Sequence, residues 1–101
     1  MAFIQIIEYQ TDQPDAVQEL AAKMRSESAA AGTTPRFTTL VRGKDRDKAN
    51  SYVTIVEFPS FEDAEASNND PQVQAFAAEM EKLSTAPPRF INLDVVDRYP
   101  D

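Results

Sequence analysis

The run SYVTIVEFPSFEDAEASNNDPQVQAFAAEM, residues 51–80, decides the architecture. Ser51 to Phe58 is dense in β-branched and aromatic residues and reads as a strand. Ser60 then opens a helix, and Asp63 three residues later gives it the shape of a capping box with Asp in place of Glu. Asn68-Asn69-Asp70-Pro71 breaks that helix. Asp70 recaps it with Pro71 at the first helical position, and Val73, Phe76, Ala77 and Met80 fall on one stripe of the continuation.

Outward from this run the same grammar repeats. Arg36 to Arg42 (RFTTLVR) is a second strand-like segment, joined to Ser51–Phe58 by the charged GKDRDKAN loop, so the two form an antiparallel hairpin. Ala2 to Tyr9 reads as the first strand. The TDQPD stretch starts a helix, with Thr11 or Asp12 as cap and Pro14 in the first turn. Val17, Leu20, Ala21 and Met24 form its apolar stripe, and Gly32 suits the left-handed C-cap position. After Ala86-Pro87-Pro88, Arg89 to Val96 is the last strand. The order βαββαβ predicts a ferredoxin-like α+β domain over residues 1–101: a four-stranded antiparallel sheet with two helices on one face.

Each strand splits into two sets by its period of two. One holds Ile4, Ile6, Val53, Ile55, Ile91, Leu93 and Val95, and is expected beneath the helices. The other holds Phe3, Gln5, Ile7, Tyr9, Tyr52, Thr54, Val56, Phe58, Phe90, Asn92, Asp94 and Val96, and is expected on the uncovered face. A face so rich in aromatics predicts a homodimer through the sheet, with a barrel interior that is both interface and ligand cavity.

Composition removes whole classes of chemistry. The chain has no Cys and no His, which excludes thiolate and His-containing triads, Cys or His metal ligation and a His-bound haem. Two glycines, Gly32 and Gly43, do not make a phosphate-cradling loop. Seventeen acidic against ten basic residues give a net charge of −7, which opposes nucleic acid and anionic membrane. Asp45, Asp47, Glu62, Asp63 and Glu65 lack calcium-loop spacing and read as solvated surface, so no metal and no cofactor is expected. The apolar run Ala2–Ile7 is interrupted by Gln5 and closed by Glu8, too short for a signal or a span, which predicts a cytoplasmic protein.

The stretch Val53 to Met80 resembles the antibiotic-biosynthesis-monooxygenase-like branch of the dimeric α/β-barrel superfamily. The residues that carry the resemblance are Phe58, Ser60, Ala64, Pro71, Val73 and Phe76: an aromatic, Ser-x-x-x-Ala, a helix break with Pro, and an apolar-x-x-Phe continuation. It implies a cofactor-independent monooxygenase of small aromatic, quinol or polyketide-like substrates. The alternative is a non-catalytic, small-ligand-binding or stress-related dimeric barrel. Where family members carry His, this chain has Ser67 and Gln72, and haem degradation is excluded.

Within that reading the candidate catalytic residues are Asn68, Tyr52, Asn92 and Asp94, and the candidate substrate-binding residues Phe3, Tyr9, Phe58, Phe90 and Asn69. Side-chain amides at the helix break can stabilise a developing oxyanion, or they simply satisfy the turn. Tyr52 and Tyr9 can donate to a phenolate or quinone oxygen, or pack at the barrel rim. A carboxylate such as Asp94 buried in an apolar barrel holds its proton more tightly and becomes a base. Equally, Asn92 and Asp94 could pair across the dimer with Arg36, Arg42 or Arg89. Phe3, Phe58 and Phe90 offer ring faces for stacking.

Overall fold

Seven elements follow one another in the computed structural model, which describes residues 1–100: β1 (Phe3–Gln10), α1 (Pro14–Ala30), β2 (Thr39–Lys44), β3 (Ser51–Phe58), α2 (Phe61–Asn68), α3 (Pro71–Leu83) and β4 (Arg89–Asp94). The strands form one antiparallel sheet in the order β2-β3-β1-β4, the ferredoxin-like arrangement. The second helical segment is two helices, α2 and α3, parted at the expected break. Asp70 Oδ1 accepts from the Gln72 amide at 2.8 Å and restarts the chain as α3. At Ser60 the hydroxyl accepts from the Asp63 amide at 3.2 Å and donates to the Asp63 carboxylate at 3.0 Å. Gly32, at φ +70°, takes the left-handed position after α1.

The two edge strands differ from expectation at their ends. β2 starts at Thr39 rather than Arg36 and runs to Lys44, because its register is set from the hairpin, where the Asp45 amide donates to the Ser51 carbonyl at 2.9 Å. β4 stops at Asp94 rather than Val96. Its partner β1 begins at Phe3, opposite Asp94, and only the Val95 amide finds a further carbonyl, that of Ala2.

The register writes out the two faces. Cross-strand rows on one side are Lys44, Tyr52, Tyr9; then Arg42, Thr54, Ile7, Phe90; then Leu40, Val56, Gln5, Asn92; then Phe58, Phe3, Asp94. This is the side the helices cover. Phe3, Val56 and Phe58 form the core with Ala64 of α2, which is 1% exposed, and the Phe61 ring meets Phe3 edge-on at 5.3 Å. The expected assignment of faces is therefore reversed. The aliphatic set (Ile4, Ile6, Val53, Ile55, Ile91 and Leu93, with Val41) lies on the side without helices, where Val41, Ile55 and Leu93 remain 52%, 42% and 41% exposed. The reason is shape. Helices stand roughly 10 Å off a sheet, a gap that aromatic rings fill, whereas short β-branched side chains make a flat surface.

Thr11, 1% exposed, ties the far end together. Its amide donates to the Asn50 carbonyl, its hydroxyl donates to the Leu83 carbonyl at 2.6 Å, and its Oγ1 accepts from the Gln13 amide at 3.0 Å. It thus acts as the turn residue that precedes α1, while Gln13 occupies the cap position without a side-chain bond.

Candidate functional site

The helix side of the sheet has two chemically different ends, six residues or about 20 Å apart along β1. At one end Phe3 and Phe58 are buried at 5% and 3%. Both were expected to offer ring faces to a ligand; the structure packs them as core, because α2 closes directly over them. At the other end the Tyr9 and Tyr52 rings stack at 5.5 Å with 17° between their planes. A single small ligand does not span both ends.

The tyrosine end holds the polar chemistry. Burial raises the Tyr9 hydroxyl above its ordinary value, with Tyr52 adding to the rise, while the Arg42 charge and the Thr54 side chain oppose it. Tyr9 is accordingly a protonated donor at neutral pH. Arg42 lies in the next row, its Cζ 5.9 Å from the centre of the Phe76 ring of α3. Burial pulls its guanidinium below the ordinary value. Neither Arg42, Thr54 nor Phe76 stood out as a site residue in the sequence. The signal was there for Arg42: a charged residue two positions from Leu40, on the same face of the strand.

One cleft borders this end, and another lies between the helices away from it. One, of about 240 Å³, opens past the strand ends and is lined by Tyr9, Tyr52, Asp45, Lys48, Pro87 and Arg89, among others. The second, of about 140 Å³, runs between α1 and α3 and is lined by Leu20, Met24, Ala75 and Phe76, with Lys23, Glu27 and Gln72 at its edges. Both clefts are open to solvent.

The remaining expected residues are dispersed. Phe90, 54% exposed, Asn92 and Asp94 lie on the helix side of the edge strand β4, with Asn92 Oδ1 accepting from Gln5 Nε2 at 3.2 Å. Asp94 is exposed, so the apolar enclosure expected to make it a base is absent. Asn92 and Asp94 also stand across the sheet from Arg42, three strand spacings or about 14 Å away. Arg89 instead faces Glu8 at 3.6 Å, on the opposite side of the sheet. Asn68 and Asn69 are exposed at the α2–α3 junction, where the Asn68 carbonyl accepts from Gln74 Nε2 at 3.3 Å. No hydrogen bond among the described residues joins them to the tyrosine end. Among the described residues, no three carboxylates converge on a common point.

No protein-family model matches the chain, and no curated protein matches it. Solved structures do. SnoaB, a cofactor-independent oxygenase from Streptomyces nogalater, is 19% identical, with 99% of this chain and 98% of that one covered at a TM-score of 0.78. The chain shares the ferredoxin-like α+β fold of that structure. A structure described as an antibiotic biosynthesis monooxygenase aligns at 12% identity over 96% of this chain and 100% of its own, with a TM-score of 0.72. A Mycobacterium tuberculosis protein does so at 16% identity over 98% and 99%, with a TM-score of 0.73. At these identities the likeness establishes the fold and not the activity. No helix among the described residues is long and apolar enough to cross a membrane.

Proposed function

We propose that this chain is a cofactor-independent monooxygenase of small aromatic or quinol-like substrates, working as a homodimer of single-domain subunits in the cytoplasm. The observation that carries the reading is the Tyr9–Tyr52 stack with Arg42 in the adjoining row, all on the helix side, with a cleft of about 240 Å³ beside the stack. Solved structures of the same fold are named oxygenase and monooxygenase, which supports the reaction class.

The chemistry asks little of the protein. A substrate with an acidic CH₂ beside an aromatic system loses a proton to give a carbanion or enolate. That anion adds O₂ to form a peroxide, which takes a proton and eliminates water to leave a carbonyl. One CH₂ and one O₂ become one C=O and one H₂O, with electrons drawn from the substrate alone. The protein's part is to desolvate the anion, hold its ring and place a donor at the oxygen that gathers charge. The Tyr9 and Tyr52 hydroxyls are the donors, and their rings supply the apolar wall.

The dimer uses the side without helices. Val41, Ile55 and Leu93 are exposed beside Ile4, Ile6, Val53 and Ile91, a contiguous aliphatic surface of the kind that marks an interface. Ion pairs mark two of its borders, Glu8–Arg89 at 3.6 Å and Glu57–Arg98 at 2.6 Å.

An oxygen electrode with a panel of quinols and anthrones tests the activity. Consumption of one O₂ per substrate, with a quinone formed and no hydrogen peroxide, is expected. A panel that binds without oxygen uptake overturns it and leaves the non-catalytic ligand-binding barrel.

A further inference from the structure

The residues after β4 turn back toward the sheet. Beyond Asp94 the Val95 amide donates to the Ala2 carbonyl at 3.0 Å, and the chain then leaves the strand. Three residues later Arg98 Nη2 reaches Glu57 Oε2 of β3 at 2.6 Å. Glu57 stands opposite Ile4, and Ile4 opposite Leu93, so β3 lies two strand spacings, about 10 Å, from β4. The ion pair therefore draws the tail from β4 back across β1. Its side is fixed as well, because Leu93, Ile4 and Glu57 all belong to the set that faces away from the helices.

What the tail carries there is apolar. Val96 and Tyr99 are 92% and 95% exposed, more than any other large hydrophobic side chain among the described residues. Terminal segments stay disordered unless something ties them down. A surface ion pair sets a position but contributes little against the entropy of ordering the residues around it, whereas burial of apolar side chains contributes far more. The tail's own subunit buries neither Val96 nor Tyr99. A second copy on the aliphatic face can. Sheets packed face to face stand about 10 Å apart, and an aromatic side chain rising from the rim of one bridges most of that gap. Leu93, exposed and in the same row as Glu57, makes the aliphatic strands and the tail neighbours, so a subunit seated on those strands meets the tail too. A two-fold axis repeats the contact once from each side.

We infer that residues 95–100 are an arm laid on a second copy of this chain: Val96 and Tyr99 of each subunit bury against the other subunit, and the Arg98–Glu57 ion pair fixes the root of the arm. The inference rests on the face-to-face dimer proposed above and adds to it a segment outside the sheet on which the strength of the dimer depends. It is independent of the oxygenase reading.

The chain has no Trp, so Tyr99→Trp places a single indole reporter where the isolated subunit leaves it in water. Sedimentation velocity gives the dimer Kd of this variant, and its emission and acrylamide quenching are read over a dilution series that spans that Kd. The expected result is blue-shifted emission, quenched several-fold less in the dimer, that reverts as the dimer dissociates. Val96→Ser combined with Tyr99→Ser should weaken the wild-type dimer roughly 10-fold or more with circular dichroism unchanged, since both side chains are exposed in the isolated subunit. A dimer whose introduced indole stays fully accessible overturns the arm and leaves the dimer standing. Emission equally blue-shifted in the monomer places the tail on its own subunit and overturns it as well, as does a double serine variant with the wild-type Kd. A chain that stays monomeric at high micromolar concentration removes the face-to-face dimer and the arm with it.

Discussion

Replacing Val41, Ile55 and Leu93 together by threonine tests the use of the aliphatic face. Their exposures of 52%, 42% and 41% leave between one and two side chains' worth of apolar surface in water on each subunit. Burying a full aliphatic side chain contributes about 1.5–3 kcal/mol, so the three contribute ~2–4 kcal/mol per subunit. An interface built on a two-fold axis counts each twice, ~4–8 kcal/mol. Threonine keeps a methyl group and about half of the apolar area, so the variant forfeits ~2–4 kcal/mol, on the order of 10²-fold in Kd. It also keeps β-branching, which preserves strand propensity in the isolated subunit. Sedimentation velocity over a dilution series reads the outcome: wild type dimeric in the micromolar range, the triple variant dissociating, both with the same far-ultraviolet dichroism. A wild type that stays monomeric at high micromolar concentration, or a variant with the wild-type Kd, refutes the reasoning.

Three further outcomes are expected. Tyr52→Phe keeps the ring stacked on Tyr9 but removes the hydroxyl, and should lower turnover of a quinol roughly 10²-fold with Tm unchanged; undiminished turnover removes Tyr52 from the site. Tyr9 holds its proton more tightly folded than unfolded, so its contribution to stability is complete below its ordinary value of 10.0 and is lost as pH rises above it. Thermal melts should fall over that alkaline range less steeply in Tyr9→Phe than in wild type, and parallel slopes would contradict the burial. Thr11→Val leaves the Leu83 carbonyl and the Gln13 amide without their partner, a loss of about 1–3 kcal/mol that a denaturant titration resolves.

The fold was legible because local signals agreed. Ser60, Asp70 and Pro71 punctuate the second helical segment as their chemistry dictates, and the density of β-branched residues in Ser51–Phe58 locates the central strand to the residue. The orientation of the sheet was not legible. Period-two reading sorted the strand residues into the two sets that the structure shows. With both sets apolar, no contrast between polar and apolar told which one meets the helices. That is settled by volume, in the contact of Phe3 and Phe58 with Phe61 and Ala64. The same reversal explains the site. Tyr9 and Tyr52 were recognised, but Arg42 joins them only once their face is known to be the one under α3. Asn68 and Asp94 have suitable chemistry, but the structure leaves both exposed, away from the tyrosine end.

The bond from Thr11 to the carbonyl of Leu83 also bears on when the molecule becomes complete. It joins residues 72 apart in the chain. Closing a loop of that length costs about 4 kcal/mol in chain entropy, and one neutral hydrogen bond returns only about 1 kcal/mol. The bond therefore does not start folding; it waits until the pairing of β4 with β1 has already brought the end of α3 back to the end of β1. Losing the Leu83 bond should speed unfolding and leave the refolding rate almost untouched, because so long-range a contact forms late.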